Sequence, residues 1–317
     1  MNSLWQYSHQ YGQKTLQKWK TNFDWGVQWL GLWLPYLWLF LFFFIPFLLI
    51  LKISFSQAIL ALPPFDTLYT WSDDYFLQIR LNFSNFTALL RDAFYRQAFW
   101  SSLKVSGTAT LCCLSLGYWM AYAVSRATSR WRMILLLLVL LPFWTSFLVR
   151  VYAWMSLLSA KGLISMALLS LGWIEEPTSL LDNSYAVCLG ITYCYLPFMV
   201  LPIYASLEKI DSVYWEAAFD LGAGPWRTFW RVTVPLSMPG VIAGCILVFV
   251  PAMGEFVIPE LLGGPNTLMI GRAIWSEFFN NQDWPRACAL AVTMTVVFVV
   301  PIMVFQRYQQ RSLQPRQ

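Results

Sequence analysis

Six apolar blocks limit what this chain can fold into. They run over Leu34–Ile53, Ala98–Val124, Met133–Met155, Tyr185–Leu207, Pro239–Leu262 and Ala287–Phe305. Each is near the ~20 helical residues that cross ~30 Å of hydrocarbon. Charged residues make up only 12% of the chain, against roughly a quarter of a soluble domain. The blocks therefore read as spans rather than as one large soluble core. The expected fold class is an all-α integral membrane protein, with six transmembrane helices over residues 34–306. Residues 1–33 form an expected cytoplasmic or interfacial segment, and residues 307–317 a cytoplasmic tail.

Six spans put both termini on one side, and the basic residues choose it. The N-terminal segment, the 125–132 loop, the 208–238 loop and the C-terminal tail carry three Lys or Arg each, twelve together. The opposite segments carry six: Arg80, Arg91, Arg96, Lys161, Arg272 and Arg286. The positive-inside rule places both termini in the cytoplasm. Lys14, Lys18 and Lys20, interspersed with Trp19, Trp25 and Trp29, suit a membrane surface. The apolar run that follows is too long for a signal peptide and lacks a small-residue cleavage site, so it is expected to stay as the first span.

Enzyme chemistry is poorly supplied. His9 is the sole histidine, which excludes an H-E-x-x-H zinc site and any histidine-based triad within the membrane. No G-x-x-x-x-G-K-[ST] occurs, so this chain does not hold ATP by a P-loop. The six cysteines (Cys112, Cys113, Cys188, Cys194, Cys245 and Cys288) form no C-x-x-C pair and sit in or beside apolar segments. They read as small packing residues. No metal, cofactor or nucleic-acid partner is expected.

The 208–238 loop is unlike an ordinary hydrophilic connection. Asp211 or Ser212 can cap a short helix through Trp215, Glu216, Ala217, Ala218, Phe219 and Leu221. Gly222 fits a left-handed stop, and Pro225 suits the first turn of a second helix. That helix carries Trp226, Phe229, Trp230 and Val232 until Pro235 and Pro239 are expected to break it. The pattern predicts a cytoplasmic helix–turn–helix with small and aromatic residues where solvent favours charge. Such a surface usually meets a partner.

Glu216-Ala217-Ala218, then Gly222-Ala223 and a downstream Pro235, resembles the EAA loop of ABC-importer permeases. Val234 stands where that family often has leucine before the proline. The resemblance implies a type I ABC importer permease fold, with Glu216, Ala217, Ala218 and Gly222 docking into a separate ATPase subunit. Further stretches, Leu141–Trp154, Tyr195–Leu207, Gly254–Pro265 and Met269–Pro285, resemble polyamine importer permeases, closest to the putrescine-type subunit. Membership implies an inner-membrane complex of this chain, a related second permease, two ATPase copies and a periplasmic polyamine-binding protein.

A polyamine is a flexible cation, and its passage favours carboxylates and aromatic faces. Glu255 and Glu260 end the fifth block. Counted from Gly240, Glu255 lies about 22 Å and Glu260 about 30 Å along an ideal helix, roughly 140° apart around it. Pro259 can kink or end that helix. Glu255 is the pathway candidate and Glu260 the candidate at the outer mouth. The competing expectation pairs either acid with Lys104 or Arg150. Trp144, Tyr152, Tyr193, Tyr195 and Phe256 are the aromatic candidates. Arg150, Lys52 and Lys104 are otherwise expected to snorkel or pair. The rival from another class is an ion-coupled transporter using Glu255 as proton carrier. Another small substrate for the same permease type is the remaining alternative.

Overall fold

The computed structural model describes residues 31–313 except 32, 60, 62, 67, 68, 72–76, 80 and 266. The lysines and tryptophans of the N-terminal segment, His9, Arg80 and the last four residues lie outside the described residues. The chain divides between Asn82 and Phe83 into two units.

In the first unit, α1 spans Trp33–Ser54, matching the first apolar block with a mean hydropathy of 2.5. Its ladder widens into a π-helical turn at Phe40–Phe44, just ahead of Pro46. Proline cannot donate to the helix ladder, and a local register shift accommodates that. Beyond α1, Ala58 bridges Phe65, and β1 (Tyr69–Trp71) pairs antiparallel with β2 (Leu77–Ile79), Thr70 opposite Gln78. This small hairpin is the described departure from an all-helical chain.

The second unit opens with α2 (Ser84–Arg91) and then α3 (Ala93–Arg126). The Asp92 side chain starts α3 by accepting the Phe94 N–H at 2.9 Å, a side-chain N-cap. At 34 residues, α3 begins before the expected span and is less apolar than the two long helices it packs against. Next come α4 (Ser129–Leu140), a 3₁₀ turn (Leu141–Trp144), α5 (Phe147–Leu158) and α6 (Leu163–Ser170). Then α7 (Ser184–Glu208) is capped by Asn183, which accepts the Ala186 N–H at 2.9 Å. The rest comprises α8 (Val213–Asp220), α9 (Pro225–Met253), α10 (Val257–Leu262), α11 (Ile270–Trp275) with a π turn at Ser276–Asn280, and α12 (Trp284–Leu313).

Three of these helices, α3, α7 and α9, pack together and carry the core. One layer joins Cys113 and Ala121 of α3 to Met199 and Ile203 of α7 and Val248 of α9. A second joins Val105 and Ala109 to Val187 and Ile191, closed by Val151 of α5 and Ile258 and Leu262 of α10. A third gathers Tyr95 and Ala98 against Met253, Ile270 and Leu290. Among the described residues, four stretches are long and apolar enough to cross a membrane: Trp33–Ser54, Phe147–Ser170, Ser184–Glu208 and Pro225–Met253. Trp284–Val299 is a shorter apolar helix.

Three expectations about continuity fail, each over backbone hydrogen bonding. The block Met133–Met155 is not one helix. Pro142 sits in the 3₁₀ turn, and Thr145 is extended at ψ 151° with its hydroxyl donating to the Pro142 carbonyl at 2.8 Å. The block Pro239–Leu262 breaks at Gly254, before Pro259 rather than at it. Pro259 falls in the first turn of α10, where its missing N–H costs nothing. Conversely, Pro235 and Pro239 do not stop the helix from Pro225. A π turn at Phe229–Thr233 closes from the Val234 N–H to the Phe229 carbonyl, shifting the ladder directly ahead of Pro235.

Candidate functional site

Glu255 lies in the break between α9 and α10 and is only 8% exposed. An ionised carboxylate at that depth needs donors around it. Three supply them. The Tyr195 hydroxyl of α7 donates to Oε2 at 2.6 Å, and the Phe256 and Val257 N–H groups donate to Oε1 at 3.2 and 3.0 Å. The acid thus serves the unpaired amides that open α10 and ties them to α7. Neither Lys104 nor Arg150 pairs with it, so the expected ion pair is replaced by a tyrosine and backbone. Because the helix ends at Gly254, the ideal-helix depth and 140° separation of the two acids do not apply.

Gly271 makes this geometry possible. A Cβ there would collide with the Gly254 carbonyl oxygen and sit 2.6 Å from the Glu255 carbonyl oxygen. Only glycine lets α11 approach the break. Gly271→Ala should therefore lower the melting temperature of the purified protein, by about 1–3 kcal/mol of stability for an overpacked site. An unchanged melting curve would show that the two backbones are not held this close.

Glu260 pairs with Arg272 at 2.6 Å, and Arg272 also donates to the Gly264 carbonyl at 3.3 Å. This acid finds a cation on α11 that the sequence reading did not consider. Arg150 departs furthest from expectation. It is 8% exposed, so it does not snorkel, and among the described residues it has no ion pair. Its guanidinium lies 5.4 Å from the Phe143 ring centre and 5.8 Å from that of Phe147.

The aromatic candidates separate. Tyr195 touches Glu255, and Phe256 beside it stacks on Trp275 at 4.5 Å. Trp144 is 77% exposed at the end of the 3₁₀ turn, and Tyr152 is 50% exposed on α5. No hydrogen bond or ring contact joins either to Glu255 among the described residues. Tyr193 packs edge-on to Trp154 at 5.4 Å.

A second buried acid, Glu277, escaped notice as a site residue. Its Oε1 accepts the Tyr95 hydroxyl at 2.7 Å and its Oε2 the Asn281 amide at 3.0 Å. Burial, reinforced by that carboxylate, pushes the Tyr95 hydroxyl well above its usual range, so it remains a donor at physiological pH. The available signal was the acid itself, inside the Met269–Pro285 stretch; its partner lies 182 residues away.

The helix–turn–helix forms as expected. Helix α8 ends before Gly222, whose φ of +79° is left-handed, and Pro225 opens α9. Glu216 and Ala217 are exposed, while Ala218 is buried. Leu221 (88% exposed), Phe219, Trp226 and Trp230 leave an open apolar surface. The unit is anchored to α3 and α9: Arg126 stacks over Trp215 at 3.8 Å, and the Trp215 indole donates to the Thr233 hydroxyl at 3.1 Å.

Packed apolar helices of spanning length, two of them interrupted, with an anchored aromatic knob at one end, are the architecture of an integral membrane protein. The family of binding-protein-dependent transport system inner membrane components matches residues 113–316, and the chain belongs to it. The spermidine/putrescine transport system permease protein PotB of Haemophilus influenzae is 40% identical over 270 residues, covering 85% of this chain and 90% of that one. The protein of the same name from Escherichia coli is 41% identical, covering 85% and 93%. These relatives bear out the resemblance to polyamine permeases. Among solved structures, a bacterial ABC transporter that imports the acidic polysaccharide alginate superposes with a TM-score of 0.70 at 18% identity, covering 94% of this chain and 100% of that one. At that identity the likeness concerns the fold alone.

Proposed function

We propose that this chain is the permease subunit of an ATP-driven importer that carries polyamines, putrescine foremost, from periplasm to cytoplasm. Residues 34–306 form its transmembrane domain, crossing six times with both termini in the cytoplasm, as the distribution of Lys and Arg favours. Two copies of an ATPase subunit, a second permease of similar fold and a periplasmic binding protein complete the complex.

The observation that carries this reading is the exposed apolar face of the helix–turn–helix, held by Arg126 and Thr233 yet left open among the described residues. Its Glu216, Ala217, Ala218 and Gly222 dock into the ATPase. The substrate class is supported by the relatives' names and by a buried acid beside Tyr195. Glu255 lines the pathway, and Glu260 lies at its outer mouth; Tyr152 and Trp144 are its outlying aromatic faces.

Reconstitution into liposomes with and without the ATPase provides the test. Uptake of putrescine should exceed that of spermidine and should require both the ATPase and ATP. Gradient-driven uptake by this chain alone would establish the ion-coupled alternative instead.

A further inference from the structure

Three charged side chains are buried among the described residues: Arg150, Glu255 and Glu277. Both acids accept hydrogen bonds on each oxygen. Arg150 is less well served. Its Nε and Nη1 are buried with no hydrogen-bond partner. Orphaned donors on a buried cation carry an uncompensated desolvation cost. The faces of Phe143 and Phe147 attract the charge but accept no N–H hydrogen bond along the guanidinium edge. Such a group calls for an explanation, and use in another conformation supplies one.

The placement of Arg150 identifies its partner. It lies on the first turn of α5, just past the interruption at Thr145 and Ser146. Glu255 lies at the other interruption, and α10, which follows it, packs on α5. Each reaches toward α7, Glu255 through the Tyr195 hydroxyl and Arg150 through the Phe143 ring. Ring contacts run from Phe143 to Phe198 at 5.0 Å and from Phe198 to Tyr195 at 6.0 Å. The Glu255 carboxylate accepts three hydrogen bonds, and a carboxylate has about four acceptor sites.

We propose that Arg150 is the internal counter-ion of Glu255, closing onto its carboxylate once the cationic substrate has left. The guanidinium then takes the place of the substrate's ammonium group. This rests on the pathway role of Glu255 and adds its regulation: an arriving polyamine displaces Arg150, and the returning Arg150 promotes release. Interrupted helices suit the exchange, because α5 and α10 can move as short rigid pieces while α3 and α7 stay packed.

The test is a double-substitution cycle on the whole complex with its ATPase, in nucleotide-free and ATP-trapped states. The variants are Arg150→Met, Glu255→Gln and the two combined. In the ATP-trapped state each single change should lower the melting temperature, and the combination should lower it no further than either. In the nucleotide-free state Arg150→Met should leave it unchanged or raised. In uptake, Arg150→Met should lower both KM and kcat, because substrate held at Glu255 lacks its competitor; Arg150→Lys should restore much of kcat. Independent, additive effects of the two substitutions in both states would overturn the pairing, as would an unaltered KM in Arg150→Met. The melting comparison uses no polyamine. It decides the pairing even if the unaltered complex takes up none, the separate result that would sink the substrate assignment.

Discussion

Gly222→Val should reduce ATP-coupled polyamine uptake at least tenfold while the chain still inserts and α3, α7 and α9 remain packed. Two effects add. The left-handed φ of +79° is open to glycine but costs an L-residue about 1–2 kcal/mol, more when β-branched. The turn also sets the angle between α8 and α9, and with it the shape of the face offered by Glu216, Ala217 and Leu221. A Cβ at Gly222 meets nothing within 4 Å among the described residues, so the substitution leaves the described core untouched. The measurement is uptake normalised to protein in the membrane, with ATPase copurification as a second readout. Normal uptake with normal copurification would remove the docking role.

Glu255→Gln should lower uptake by a comparable factor, for a different reason. The neutral amide keeps an oxygen for the Phe256 and Val257 N–H groups, so α10 still starts. What disappears is the negative charge that draws a passing cation, together with the charge-assisted bond from Tyr195. The loss should appear chiefly as a raised KM. Equal KM and kcat over a wide range of putrescine concentration would confine Glu255 to a structural role. Tyr195→Phe, which removes one donor and keeps the ring, should lie between the wild type and Glu255→Gln.

Legibility in the sequence followed the range of the interaction. The Gly222 stop and the Pro225 start were readable because one residue's backbone chemistry decides each. The apolar blocks were readable because hydropathy is a local sum. The breaks at Thr145 and Gly254 were not, since hydropathy runs through them unchanged and the freed backbone groups are met by side chains at the breaks themselves, the Thr145 hydroxyl on the Pro142 carbonyl and the Glu255 carboxylate on the Phe256 and Val257 N–H groups. The same limit hid the partners of the acids. Tyr195 and Glu255 are 60 residues apart, and Glu260 meets Arg272 only because the chain turns back after α10. Proline was misleading in both directions: it ends no helix at Pro235 or Pro239, where a π turn takes up the register, and it begins one near Pro259.

The continuity of α9 has a mechanical consequence. It starts at Pro225, beside the turn that carries Gly222, and ends at Met253, two residues before Glu255. Its 29 residues make a rod about 43 Å long. Tilting such a rod by about 5° around one end carries the other end ~4 Å, more than the length of a hydrogen bond. The knob and the buried carboxylate are thus opposite ends of one lever, and a small rotation at the knob suffices to take Glu255 out of reach of Tyr195.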